Sequence, residues 1–211
     1  MVIKHTPILY SFRRCPYAIR ARLTLVVSKI NVEIREILLR DKPTDFINSS
    51  KSKTVPCLVD GEKIIDESLE IMLWALNQND PESWLDMPNE GYEIINLIEN
   101  EFKPYLDKTK YSSRYPEEDF EENRNRATNI LRELDNFQRG KYFFGNKVSL
   151  CDVAIFPFVR QFAFINIDWF HEKKWKNLSR WLSSFLESEM FVICQKKYTK
   201  WEPGNALVYF P

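Results

Sequence analysis

A strand–helix–strand order within residues 7–39 limits the fold more than any other feature of this chain. Pro7-Ile8-Leu9-Tyr10-Ser11-Phe12 reads as a short strand, and residues 16–29 carry Ile19, Leu23, Val26 and Val27 at helical spacing. Glu33 to Leu39 alternates Ile34 with charged residues and reads as a second strand. Two strands joined by one helix over so short a stretch lie parallel, with a right-handed crossover.

After a less regular stretch, Arg40 to Thr54, comes Cys57-Leu58-Val59, then Asp60-Gly61, then Lys63-Ile64-Ile65. Asp-Gly between two apolar runs signals a two-strand hairpin. A helix from Glu67 to about Asn77 completes a β-α-β-(α)-β-β-α order, an α/β N-terminal domain over residues 1–79. Asn79-Asp80-Pro81-Glu82-Ser83 and Met87-Pro88-Asn89 read as a linker at 80–89. From Glu90 onward the periods are helical, at 90–112, 117–139, 149–167, 175–187 and 190–197, so residues 90–211 are expected to form an all-α helical bundle. Val148-Ser149-Leu150-Cys151-Asp152-Val153 holds an S-x-x-D capping box with flanking valines placed as a hydrophobic staple, a folding element at the start of a helix expected to be buried.

Composition closes several function classes. Thirty basic residues balance thirty acidic ones, whereas a protein working on the nucleic-acid backbone carries a basic excess. The longest unbroken apolar stretch, Val153 to Val159, is far shorter than the roughly twenty residues of a membrane-spanning helix. Met1 to Leu9 contains Lys4 and His5 and no long apolar run, so no secretory signal is expected. Cys15, Cys57, Cys151 and Cys194 are widely separated, as reduced thiols in a cytoplasm are. With only His5 and His171, and no clustered ligands, no metal site is expected.

Cys15 is the candidate nucleophile. It lies between the first strand and the first helix, and Pro16 follows it at the position where a helix tolerates proline best. As the N-cap it would turn its sulfur toward the free N–H groups of the first turn, near Tyr17 and Ala18, and toward the positive end of the helix dipole. From Met1 to Val32 the charged residues are Lys4, Arg13, Arg14, Arg20, Arg22 and Lys29, with no Asp or Glu. Both features favour a thiolate, so Cys15 is expected to have a depressed pKa. The bland alternative is a small buried hydrophobe, the commoner state of a free cysteine. Position 18 is Ala, so no C-x-x-C dithiol cycle is available and the thiol must be resolved by one from elsewhere.

The segment Tyr10-Ser11-Phe12-Arg13-Arg14-Cys15-Pro16-Tyr17-Ala18 resembles the cysteine-type, omega-like branch of the cytosolic glutathione transferases. The resemblance covers nearly the whole chain and implies a thioredoxin-like N-terminal domain followed by the helical domain, with glutathione as cosubstrate. Thr54-Val55-Pro56-Cys57 is similar to that family's Val-Pro step, which implies a cis proline at Pro56 and a backbone pairing of Val55 with the cysteinyl part of glutathione. Glu67-Ser68 is similar to the pair that holds the γ-glutamyl end, and a helix start suits a carboxylate. Leu39 and Lys42 stand where omega-type proteins place a Leu and a Lys near the glycine end. Each has an ordinary alternative: a proline opening a strand, first-turn residues of a helix, a solvated lysine. Phe156-Pro157-Phe158 also resembles an omega-type step, with Pro157 inside its helix.

The resemblance implies a glutathione-dependent thiol transferase, reducing mixed disulfides or dehydroascorbate-type substrates through Cys15. The alternatives are conjugation of glutathione to electrophiles, with Ser11 or Tyr10 as activator, and a non-catalytic binding protein on the same fold. Implied partners are glutathione and a small disulfide or electrophile, with a homodimer as the family's habit and neither nucleic acid nor membrane. Tyr17, Tyr105, Tyr111 and Trp201 are aromatics for a second-substrate pocket or for plain core, and residues 201–211 match no part of the family pattern.

Overall fold

A computed structural model describes residues 6–211; Lys4 and His5, counted above, lie outside the described residues. The described residues divide into two compact units, one of residues 6–82 with 188–211, the other of residues 83–187.

In the first unit, β1 (Ile8–Ser11), β2 (Val32–Glu36), β3 (Cys57–Asp60) and β4 (Lys63–Ile65) form a mixed sheet with β5 (Tyr209–Phe210), in the order β4-β3-β1-β2-β5. β1 and β2 are parallel, with Ile8 opposite Glu33 and Ser11 opposite Glu36, as the crossover through α1 (Pro16–Val27) requires. The other three pairings are antiparallel. Gly61 closes the β3–β4 hairpin at φ 63°, in the left-handed region where glycine carries no Cβ penalty. Side chains alternate across a strand, and that alternation sorts the residues into two cores. Leu9, Val32, Ile34, Leu58 and Ile65 join Ala21 and Leu25 of α1 and Ile71 and Ala75 of α3 (Ser68–Gln78) on one face. Tyr10 and Cys57 turn to the other, where they meet Ile37, Val55 and Phe46 of α2 (Thr44–Ser49).

The helical unit contains α4 (Glu90–Leu97), α5 (Lys103–Lys110), α6 (Phe120–Phe137), α7 (Leu150–Ala163), α8 (Ile167–Glu172) and α9 (Leu178–Leu186). The expected capping box is formed at the start of α7. The buried Asp152 carboxylate accepts from Ser149 N (2.9 Å) and Oγ (2.6 Å), from Phe143 N (3.0 Å) and from Trp181 Nε1 (2.9 Å). Asp135 similarly accepts the backbone N–H groups of Lys176, Asn177 and Leu178 at the start of α9. No described helix is long and apolar enough to cross a membrane.

Three expectations are corrected. The helix read at 90–112 is not uniform: a π-helical turn, Ile98–Phe102, divides α4 from α5 just ahead of Pro104, whose missing N–H removes a bond from the helical ladder. The helix read at 149–167 stops at Ala163, and Asn166, accepting from Trp169 N at 3.0 Å, caps the separate α8. The C-terminal end does not belong with the bundle. α10 (Glu189–Cys194) and the tail return to the first unit, where Phe210 is fully buried and pairs with Val32 in register. A two-residue strand has too few positions to show alternation, so periodicity could not reveal it.

Phe210→Ala removes a ring from the sheet core and is expected to destabilise the protein by about 3–5 kcal/mol, read as a lower urea midpoint. A loss below about 1 kcal/mol would show that the tail is peripheral.

Candidate active site

β1 ends at Ser11, and the turn that follows is closed by Cys15 N donating to Phe12 O at 2.9 Å. Pro16 opens α1, and the Cys15 carbonyl accepts from Ile19 N at 2.9 Å, so Cys15 is the N-cap, in extended conformation at φ −76° and ψ 124°. Arg13 N donates to Glu36 Oε1 at 2.6 Å and ties this turn to the end of β2. Burial pushes the Glu36 carboxyl up, against the pull of that N–H and of Arg22.

The sulfur does not engage the first turn as the sequence suggested. The cap makes no side-chain capping hydrogen bond; instead Cys15 Sγ donates to Val55 O at 3.6 Å. A neutral thiol has one hydrogen to give and is a weak acceptor, so the nearby carbonyl suits it better than an amide donor. Cys15 is half-buried and packs against the Tyr10–Phe46–Val55–Cys57 cluster.

The Val55–Pro56 peptide is cis and both residues are buried. Glu67, exposed, is the N-cap of α3, and Ser68 beside it is buried. The Ser68 hydroxyl accepts from Arg20 Nε at 3.0 Å and Nη2 at 2.8 Å. Arg20, little more than one turn into the cysteine's own helix, thus holds the start of α3; in the sequence alone it is only local positive charge. Its signal is an arginine in a largely apolar helix that also carries Arg22, since arginine is rarely fully buried unless paired. Leu39 is 47% exposed, and Lys42 Nζ donates to Lys53 O at 2.8 Å, on the loop that leads to Val55. The structure therefore joins Cys15 to Val55 directly and Ser68 to α1 through Arg20, while Lys42 engages the Val55 loop and Leu39 stands at the surface.

The alternative activators are poorly placed. Ser11 is fully buried. Tyr10 is 2% exposed, and its hydroxyl accepts from Arg35 Nη1 at 2.8 Å. Burial pushes its phenol up, against the pull of Arg35. Trp201 packs edge-on against Tyr10, with the Arg35 guanidinium 4.3 Å from its ring centre, and also borders a cavity with Ile34, Tyr198 and Val208.

Known proteins carry the same two-part pattern. Residues 9–84 match the family model for the glutathione S-transferase N-terminal domain, and residues 92–189 match that for the C-terminal domain. A probable glutathione S-transferase of Nicotiana tabacum is 29% identical over 166 residues, 74% of this chain and 72% of that protein. Glutathione S-transferase omega-1 of Sus scrofa is 24% identical over 168 residues, 76% of this chain and 68% of that protein. The crystal structure of glutathione transferase Omega 3C from Trametes versicolor aligns over 92% of this chain and 86% of its own with a TM-score of 0.78, at 19% identity, a likeness of fold. The two matched domains, a thioredoxin-like unit with a cis proline followed by a helical unit, place the chain in the class of the glutathione transferases. This chain belongs to the glutathione S-transferase family, which takes glutathione as cosubstrate.

The other three thiols are buried. Burial, together with the Asp66 carboxylate, pushes Cys57 up to about 12, and burial holds Cys151 well above the ordinary thiol range. Iodoacetamide on the folded protein is accordingly expected to modify one residue, Cys15, and the rest only after denaturation. Peptide mapping checks this; equal labelling of Cys57 or Cys194 in the native state would contradict it.

Proposed function

We propose that this transferase is a glutathione-dependent thiol transferase of the cysteine type, with Cys15 as nucleophile. What carries the reading is the half-buried Cys15 sulfur 3.6 Å from the Val55 carbonyl, at a strand–helix junction, while every other cysteine is buried. Glutathione would lie along the Val55 backbone as an added extended strand, its cysteinyl sulfur toward Cys15. Its γ-glutamyl carboxylate would meet the first turn of α3 at Ser68, with Glu67 against the amino group. Lys42 and Leu39 would serve the glycine end; the ammonium has three protons, and the bond to Lys53 O uses one.

In the reaction the Cys15 thiolate attacks the glutathionyl sulfur of a mixed disulfide. A Cys15–glutathione disulfide forms and the partner thiolate leaves. A second glutathione thiolate then attacks the glutathionyl sulfur, giving oxidised glutathione and returning the Cys15 thiolate. A small disulfide or a dehydroascorbate-type acceptor suits this nucleophile. The start of α1 and the arginines nearby favour the ionised sulfur once it turns from Val55 O. The four free thiols suit a reducing compartment such as the cytoplasm, and a homodimer is part of the same proposal.

Cys15→Ser is expected to abolish disulfide reduction, by about three orders of magnitude or more, while leaving glutathione binding measurable by calorimetry. Retained disulfide reduction in this variant would overturn the reading. In the wild type the alkylation rate is expected to rise with pH through a midpoint well below about 8.5, the ordinary thiol value; a midpoint at that value would remove the thiolate from the mechanism.

A further inference from the structure

The loop 50–54, which delivers Val55 to the site, contains no strand and its amides are satisfied by a small set of side chains. Asp66, the residue after β4 and two before Ser68, is the centre of that set. One carboxylate oxygen accepts from Ser50 Oγ at 2.7 Å; the other accepts from Lys51 N at 2.8 Å and Ser52 N at 3.2 Å. Cys57, just past the cis proline, shares this electrostatic environment: its thiol helps hold the Asp66 carboxyl down, and the carboxylate helps push the thiol up. The hydroxyls of Ser50, which Asp66 holds directly, and of Ser52, whose N–H it holds, carry the pattern onward. Ser50 Oγ accepts from Lys53 N at 2.8 Å, and Ser52 Oγ accepts from Thr54 N at 3.2 Å. Four consecutive N–H groups before Val55 thus depend on one carboxylate and two serines.

We propose that Asp66 is a positioning residue for glutathione, locking the Val55 loop to the start of α3 so that the places for the cysteinyl and γ-glutamyl parts of the tripeptide hold a fixed separation. Asp66 touches no substrate in this account. It acts through Val55 on one side and through the adjoining Glu67-Ser68 on the other, and so rests on the glutathione reading of the site. Burial pushes the Asp66 carboxyl up, but Ser50, Ser52, Cys57 and Lys51 together outweigh it and hold it below its ordinary value. The group is therefore ionised at neutral pH, the state in which both oxygens accept. Asparagine at this position keeps the shape but turns an NH2 donor toward Ser50 or toward the Lys51 and Ser52 amides, and the loop loses half of its acceptor.

The test is steady-state kinetics and calorimetry with glutathione on the full chain. Asp66→Asn is expected to raise KM and Kd for glutathione about tenfold while kcat falls less than about threefold, a split that general loss of folded protein does not give. Equal glutathione affinity in wild type and variant overturns this inference alone. A wild type that binds no glutathione overturns the reading of the site and the inference with it. Should Asp66→Asn not fold, Ser50→Ala removes one donor to the carboxylate and the acceptor for Lys53 N. It is expected to raise KM about threefold, and a wild-type KM for it would equally overturn the proposal.

Discussion

The place of the Cys15 sulfur depends on the pairing of β1 with β2 on one side and with β3 on the other. β1 ends at the turn that carries Cys15. β2 supplies Glu36, whose carboxylate receives the Arg13 N–H, and the chain entering β3 supplies the Val55 carbonyl beside the sulfur. Three segments distant in sequence are thereby fixed around one atom by main-chain pairing, and the side chains refine what the sheet has set. A slip of one residue in either ladder would turn Tyr10 and Cys57 to the opposite face and dissolve the cluster behind the cysteine.

Buried charge does the refining. Arg20 and Arg22 lie two residues apart, on opposite sides of a helix that is buried nearly all round. Arg20 spends its guanidinium on Ser68, at the start of α3. Arg22 lies 3.7 Å from Glu36 and stacks over the rings of Tyr198 and Phe210, each about 5 Å away. The C-terminal tail therefore completes the environment of a charge inside the first unit, as well as adding a strand. Trp201 N donates to Glu36 O at 2.7 Å, and its ring closes over Arg35 and Tyr10. The segment most remote in sequence packs behind the same cluster as the cysteine.

What the sequence disclosed and what it hid follow one physical division. The hairpin at Asp60-Gly61, the crossover through α1, the box at Ser149 and Asp152, and the thiol at a strand–helix junction are local patterns, set by neighbours within a few residues. Hidden were the features that need a distant partner to have meaning. Asp66 reads as one acid before a helix until the Ser50–Thr54 loop is laid against it, and Arg20 reads as one of several positive charges near Cys15 until Ser68 arrives. The direction of the Cys15 sulfur was misjudged for the same reason: capping rules know the helix, and the competing Val55 carbonyl is forty residues away. Phe210 gives no periodic signal at all, yet it occupies the core of the sheet.

The proposed reaction stands or falls with covalent capture of glutathione by the single half-buried thiol. Incubation with oxidised glutathione followed by intact mass and peptide mapping tests it most directly. One adduct of roughly 305 Da, one glutathione less two hydrogens, on the peptide containing Cys15 and released by reduced glutathione, is the predicted result. A chain that stays unmodified, or an adduct carried by another cysteine, would contradict it.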